Sequence, residues 1–138
     1  MCHSFFHLSR LLPLLLAVCV LSACTESFSD RCRREASEYT KRQCPRLVDK
    51  YIVLDSMTYT ESPAGFIYHY RVQGELDNTE LLTDDALSEF TESLGKSLRE
   101  DISLKTYKER GLHFTYRYTS ASTGKLFTEA TFGPEDYK

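Results

Sequence analysis

The chain has 138 residues, 41% of them hydrophobic and 27% charged, with 4 Pro and 6 Gly. That balance excludes a disordered, collagen-like or polytopic membrane protein and allows one compact core. Leaving out residues 1–23, whose one formal charge is Arg10, takes the net charge from −3 to −4, and an acidity so mild argues against nucleic acid as a partner.

Residues 1–10 end in Arg10 and include His3 and His7, a weakly positive start. An apolar run follows from Leu11 to Leu21, of signal-peptide length and too short to span a bilayer. Pro13 and the polar switch after Cys24 also oppose a permanent membrane helix, so residues 1–23 read as a signal peptide that is removed. Its end, Leu21-Ser22-Ala23-Cys24, resembles the lipobox of bacterial lipoproteins position for position. The resemblance implies cleavage before Cys24, acylation of its thiol with palmitate-type chains and membrane anchoring through that lipid. Each buried methylene contributes roughly 0.8 kcal/mol, and more than one chain holds stably. Thr25 stands where lipoproteins retained in the inner membrane carry Asp in enterobacteria, so the same resemblance implies the outer membrane.

Residues 24–29 read as a lipidated tether and 30–138 as a single domain. Asp30 to Gln43 is rich in helix formers, with Ser29 or Asp30 as N-cap and Pro45 as a stop. Of the five cysteines, Cys2 and Cys19 leave with the signal and Cys24 takes the lipid, which leaves Cys32 and Cys44 in a compartment that permits disulfides. A Cys32–Cys44 bridge is chemically open there. The helix disfavours it: twelve helical residues rise about 18 Å, whereas a disulfide needs Cα atoms roughly 4.4–6.8 Å apart. Neither cysteine has a CxxC partner, so redox catalysis and a zinc site are not expected. Arg31, Arg33 and Arg34 lie near the membrane end, but Glu35 and Glu38 beside them favour a solvated helix face over headgroup contact.

Tyr51 to Tyr59 is β-branched and aromatic, with alternation broken around Asp55 as a bulge would break it. After the turn signal Glu61–Gly65, Phe66 to Gln73 alternates and puts Phe66, Tyr68, Tyr70 and Val72 on one face. Thr83-Asp84-Asp85 opens a second helix, acidic first and basic toward Arg99, with Leu87, Phe90, Leu94 and Leu98 as its apolar stripe. Tyr107 to Arg110 reads as one more turn, ended by Gly111. Leu112 to Tyr118 alternates strictly, Ser120–Gly124 reads as a hairpin loop and Leu126 to Phe132 as the last strand.

The expectation is an α+β fold in the order α-β-β-α-β-β, with helices on one face of a four-stranded antiparallel sheet. The strand order is not readable. The pattern Phe66-x-Tyr68-x-Tyr70 returns as Phe114-x-Tyr116-x-Tyr118 in matching positions of the two halves. The stretch Gly111-Leu-His-Phe-Thr-Tyr-Arg-Tyr118, with Gly124-Lys-Leu126 and Cys44-Pro45, resembles small envelope proteins of unassigned function.

Catalytic constellations are scarce: the sequence holds no GxSxG elbow, no HExxH, no Gly-rich phosphate loop and no EF-hand spacing. The candidate contact face is the polar side of the strands, with His69, Arg71, His113, Arg117 and Glu129. Its arginines oppose a bound cation, so neither a metal nor another cofactor is expected. The reading is a lipid-anchored, non-enzymatic binding or accessory module of the periplasm, with an envelope protein or a glycan as partner. The alternative is a small envelope enzyme or enzyme inhibitor with a site built from loops such as Glu61–Gly65 and Ser120–Gly124.

Overall fold

In the computed structural model, which describes residues 25–138, the first element is helix α1 (Phe28–Gln43). Cys24 and the expected signal peptide lie outside the described residues. The helix begins two residues earlier than the composition suggests, because Ser27 is the cap and its hydroxyl accepts from the Asp30 amide at 3.0 Å. Phe28 holds that first turn in place, packed near Tyr107 and lying under the Arg31 and Arg110 guanidiniums. Phe28 and Ser29 are therefore part of the helix. Cys32 and Ala36 turn into the core, while Cys44 caps the same unbroken helix, and both thiols are free. The three arginines are occupied with carboxylates: Arg31 with Glu35, Arg33 with Asp30 and Glu61, Arg34 with Glu26 and Glu38.

Five strands follow in spatial order β1 (Arg46–Asp49), β2 (Ile52–Glu61), β3 (Ala64–Val72), β4 (His113–Ser120) and β5 (Leu126–Phe132). β1 is the strand the sequence reading misses. Its four residues are all exposed, so it carries no alternation to detect. A register shift between Leu54 and Ser56 sits at the expected irregularity around Asp55. Beyond β1, the free edge of β2 is covered by Thr40, whose hydroxyl accepts from the Met57 amide and donates to the Met57 carbonyl.

The central pair corrects the antiparallel expectation: β3 and β4 run parallel, and the sheet is mixed. A parallel pair needs a long crossover, and here it contains 3₁₀ turns at Gly74–Leu76 and Thr79–Leu81, helix α2 (Asp84–Glu100), a further turn at Ile102–Leu104 and helix α3 (Lys105–Glu109). Thr83 caps α2 as its sequence suggests. The short α4 (Pro134–Tyr137) closes the chain, with the Tyr137 hydroxyl donating to the Leu112 carbonyl at 2.6 Å.

Parallel pairing explains the recurrent aromatic pattern. Phe66 pairs with Phe114, Tyr68 with Tyr116 and Tyr70 with Tyr118, rung by rung on one face. The core forms where Cys32, Ala36 and Leu98 meet the Phe66–Phe114 rung, with Phe132 and Tyr137 alongside.

One carboxylate straps the crossover to the sheet. Asp77 accepts from the Ser122 amide at 2.8 Å, and the Ser120 hydroxyl above all holds its carboxyl below the ordinary value of 3.8. A depressed carboxyl contributes its stabilisation in full above the unfolded value and loses it as pH falls through the folded one. The Ser122 amide resonance is expected to keep one position at neutral pH and to move upfield in acid, with a midpoint below 3.8. A titration with no movement, or one unchanged in Asp77→Asn, would exclude the strap.

Candidate functional site

The polar face of the sheet places the sequence-derived residues as follows. His69, Arg117 and Glu129 form one row across β3, β4 and β5. Arg117 pairs with Glu129, and Arg71 grips Asp55 through two hydrogen bonds of 3.0 and 2.9 Å. His69 shares a 2.9 Å hydrogen bond with the Thr58 hydroxyl, and burial together with the Arg117 charge lowers its pKa. His113 stands apart: it is paired with Gly65, four residues along the strand from the His69–Arg117 rung, roughly 13 Å at the strand rise. The two histidines therefore cannot share a ligand, and the charges on this face are largely spent on one another.

The two loops named as a site are separated as well. Glu61–Gly65 leads into the start of β3, beside the start of β4, while Ser120–Gly124 follows the end of β4. Seven residue steps, roughly 23 Å, lie between them.

On the other face the helices leave an open cleft. Its volume is about 530 Å³ and its walls are α1, through Glu35 and Tyr39, and the Asp101–Tyr107 segment. The floor is the tyrosine ladder. Tyr68 and Tyr116 stack with centroids 5.3 Å apart, and Tyr70 and Tyr118 stack at 4.8 Å, within the range aromatic pairs prefer. Among the described residues, the hydroxyls of Tyr68, Tyr70 and Tyr116 have no hydrogen-bond partner, so water or a ligand must satisfy them.

The phenols of Tyr68, Tyr70, Tyr107 and Tyr116 are neutral donors. Burial pushes the Tyr70 hydroxyl up to about 12. It also raises Tyr68 and Tyr116, with neighbouring tyrosines and Asp101 adding to the effect. Burial and then the bond to Glu35 push Tyr107 up to about 12. The carboxylates of the cleft already have positional tasks: Glu35 accepts from Tyr107, and Asp101 accepts from the Ser103 amide at 2.8 Å and from its hydroxyl. Arg46 closes one end, 6.0 Å from the Tyr39 ring. Sequence reasoning finds the tyrosines but treats them as core. It misses Glu35, Tyr39, Arg46 and Asp101, which come from three separate elements and carry no shared motif.

Among the described residues no helix is long and apolar enough to cross a membrane. A family described as a domain of unknown function (DUF8479) matches residues 27–128. No curated protein matches the chain. The crystal structure of a "putative secreted protein" from Pseudomonas aeruginosa superposes with a TM-score of 0.66 at 18% identity, covering 80% of this chain and 92% of that one. At that identity the likeness shows the fold alone.

Proposed function

The chain belongs to the DUF8479 family, whose function is unknown, and from that premise we propose that its domain is a non-enzymatic glycan-binding module of the bacterial cell envelope. The observation that carries the reading is the row of unpartnered, neutral phenol hydroxyls on the floor of an open cleft. Hydroxyl-rich sugars suit such a floor, since each phenol both donates and accepts. The Arg46 guanidinium at one end adds a donor for sugar hydroxyls. The tyrosine rings are stacked on one another, so recognition falls to their polar tips. Among the described residues no histidine lines the cleft, and Asp101, which accepts from the Ser103 hydroxyl, also accepts from the Ser103 amide as the cap of the Ile102–Leu104 turn, which is why binding is preferred to catalysis.

The envelope assignment rests on the signal-like N-terminus and is in keeping with the description of the Pseudomonas neighbour as secreted. The anchor is Cys24, closing Leu21-Ser22-Ala23-Cys24, with the outer membrane as destination because Thr25 follows it.

Chito-oligosaccharides and isolated peptidoglycan sacculi are the probes. Wild-type protein is expected to bind one of them, measured by calorimetry or co-sedimentation. The Tyr68→Phe/Tyr116→Phe double variant keeps the stacked rings and removes two hydroxyls. Two lost hydrogen bonds at about 0.5–1.5 kcal/mol each predict binding weaker by roughly tenfold, at a melting temperature close to wild type. Absence of binding to both probes, or equal binding by the variant, would overturn the glycan reading. For the anchor, Cys24→Ser is expected to release the protein from membranes.

A further inference from the structure

A second concavity lies beside the tyrosine ladder, between the 3₁₀ turns of the crossover, the first half of α2 and the C-terminal ends of β3 and β4. It encloses about 170 Å³, and Val72, Leu81, Leu87, Phe90 and Phe127 are among the residues that line it. Leu76 and Leu81 at its lip are 40% and 49% exposed. An apolar cavity of about 150 Å³ is large enough to take a benzene ring, so this one accepts a single large apolar side chain.

The wall that the crossover supplies is acidic. From Gly74 to Gly95 the chain carries seven carboxylates and no Lys or Arg. The acids of α1 are mostly paired with arginines, but among the described residues none of these seven takes part in an ion pair. Asp77 serves the strap to Ser122 and Glu75 accepts from the Tyr51 hydroxyl. Asp84 and Asp85 suit the start of α2. Glu80, Glu89 and Glu92 have no such task, and the lack of any interspersed cation in twenty-two residues goes beyond what a helix N-terminus asks for.

We propose that this groove, acidic along its crossover wall, docks a basic segment of a partner protein, anchored by one large apolar side chain and flanked by lysines or arginines. Charge complementarity selects that occupant. A second copy of this chain is itself net acidic, at −3, and a fatty acid would bring a carboxylate to an acidic wall. The groove is distinct from the tyrosine cleft, so the two proposals stand or fall separately.

The probes are three synthetic amphipathic peptides of equal length: one of Lys and Leu, one of Glu and Leu, and one of Lys and Ser. Fluorescence anisotropy is expected to show binding of the Lys/Leu peptide alone, weakening as salt is raised. Leu81→Ser trims the exposed lip, and the Glu80→Lys/Glu89→Lys pair reverses charge on the acidic wall without touching the cavity. Each is expected to weaken binding at least tenfold at an unchanged melting temperature. Tyr68→Phe/Tyr116→Phe is expected to bind the peptide as wild type does. Equal binding of the Lys/Leu and Lys/Ser peptides, or wild-type affinity in both groove variants, would overturn the proposal. So would tight binding of decanoate without peptide binding, or a dimer in sedimentation equilibrium that Leu81→Ser dissociates.

Discussion

Truncating Phe114 to Ala is expected to cost the domain about 3–5 kcal/mol, the largest effect of any single side-chain truncation here. The ring is wholly buried and sits where the sheet, α1 and α4 converge. It pairs with Phe66 across the parallel ladder and meets the Tyr137 ring edge-on at 5.7 Å. Removing it takes away the transfer energy of the ring and leaves a cavity that cannot collapse, because β3 and β5 hold β4 on both sides. In thermal melting the midpoint is expected to fall on the order of 10–20 °C. Leu126→Ala is the control: that side chain is 59% exposed on β5 and its loss is expected to leave melting nearly unchanged. A Phe114→Ala protein that melts with wild type would mean the aromatic face is not the core.

The placement of that core was legible in the alternation. Phe66, Tyr68, Tyr70 and Phe114, Tyr116, Tyr118 announce one inward face on each strand, and the α2 stripe ending at buried Leu98 announces what covers them. Alternation says which face is inward but not whether neighbouring strands run parallel or antiparallel, and the antiparallel expectation failed for that reason. The signal that could have corrected it was the length of chain between Val72 and His113, ample for a crossover that returns to the same end of the sheet. The repeat then has a physical meaning: in parallel register, identical patterns bring like rings face to face. The cleft was illegible on different grounds. Glu35, Arg46 and Asp101 meet only after α1, β1 and the crossover have packed, and no local spacing encodes that meeting. On the polar face, sequence could not show that Arg71 and Arg117 are taken by Asp55 and Glu129.

Gly65→Ala is expected to be the most damaging conservative change, although Gly65 needs no unusual backbone conformation. Gly65 opens the parallel ladder opposite His113, and a Cβ there would lie 2.2 Å from the His113 carbonyl oxygen and 2.8 Å from its carbonyl carbon. The obstacle is backbone, so no rotamer change relieves it, and the strands must separate at this end. Overpacking ordinarily costs about 1–3 kcal/mol; with a main-chain obstacle the cost is expected at or above the top of that range. Gly124→Ala separates this cause from the usual one. Gly124 has φ +69° with nothing within 4 Å of the added Cβ, so only local strain of roughly 1 kcal/mol is at stake. Hydrogen exchange should localise the Gly65→Ala damage to the first rungs of β3 and β4, with β1 and the end of α2 spared. Because Phe66–Phe114 and Tyr68–Tyr116 are the next rungs on the cleft face, the same variant is expected to weaken probe binding in the cleft, while Gly124→Ala retains it. Uniform exchange across the sheet, or wild-type stability in Gly65→Ala, would show that the strands do not approach as closely as the ladder requires.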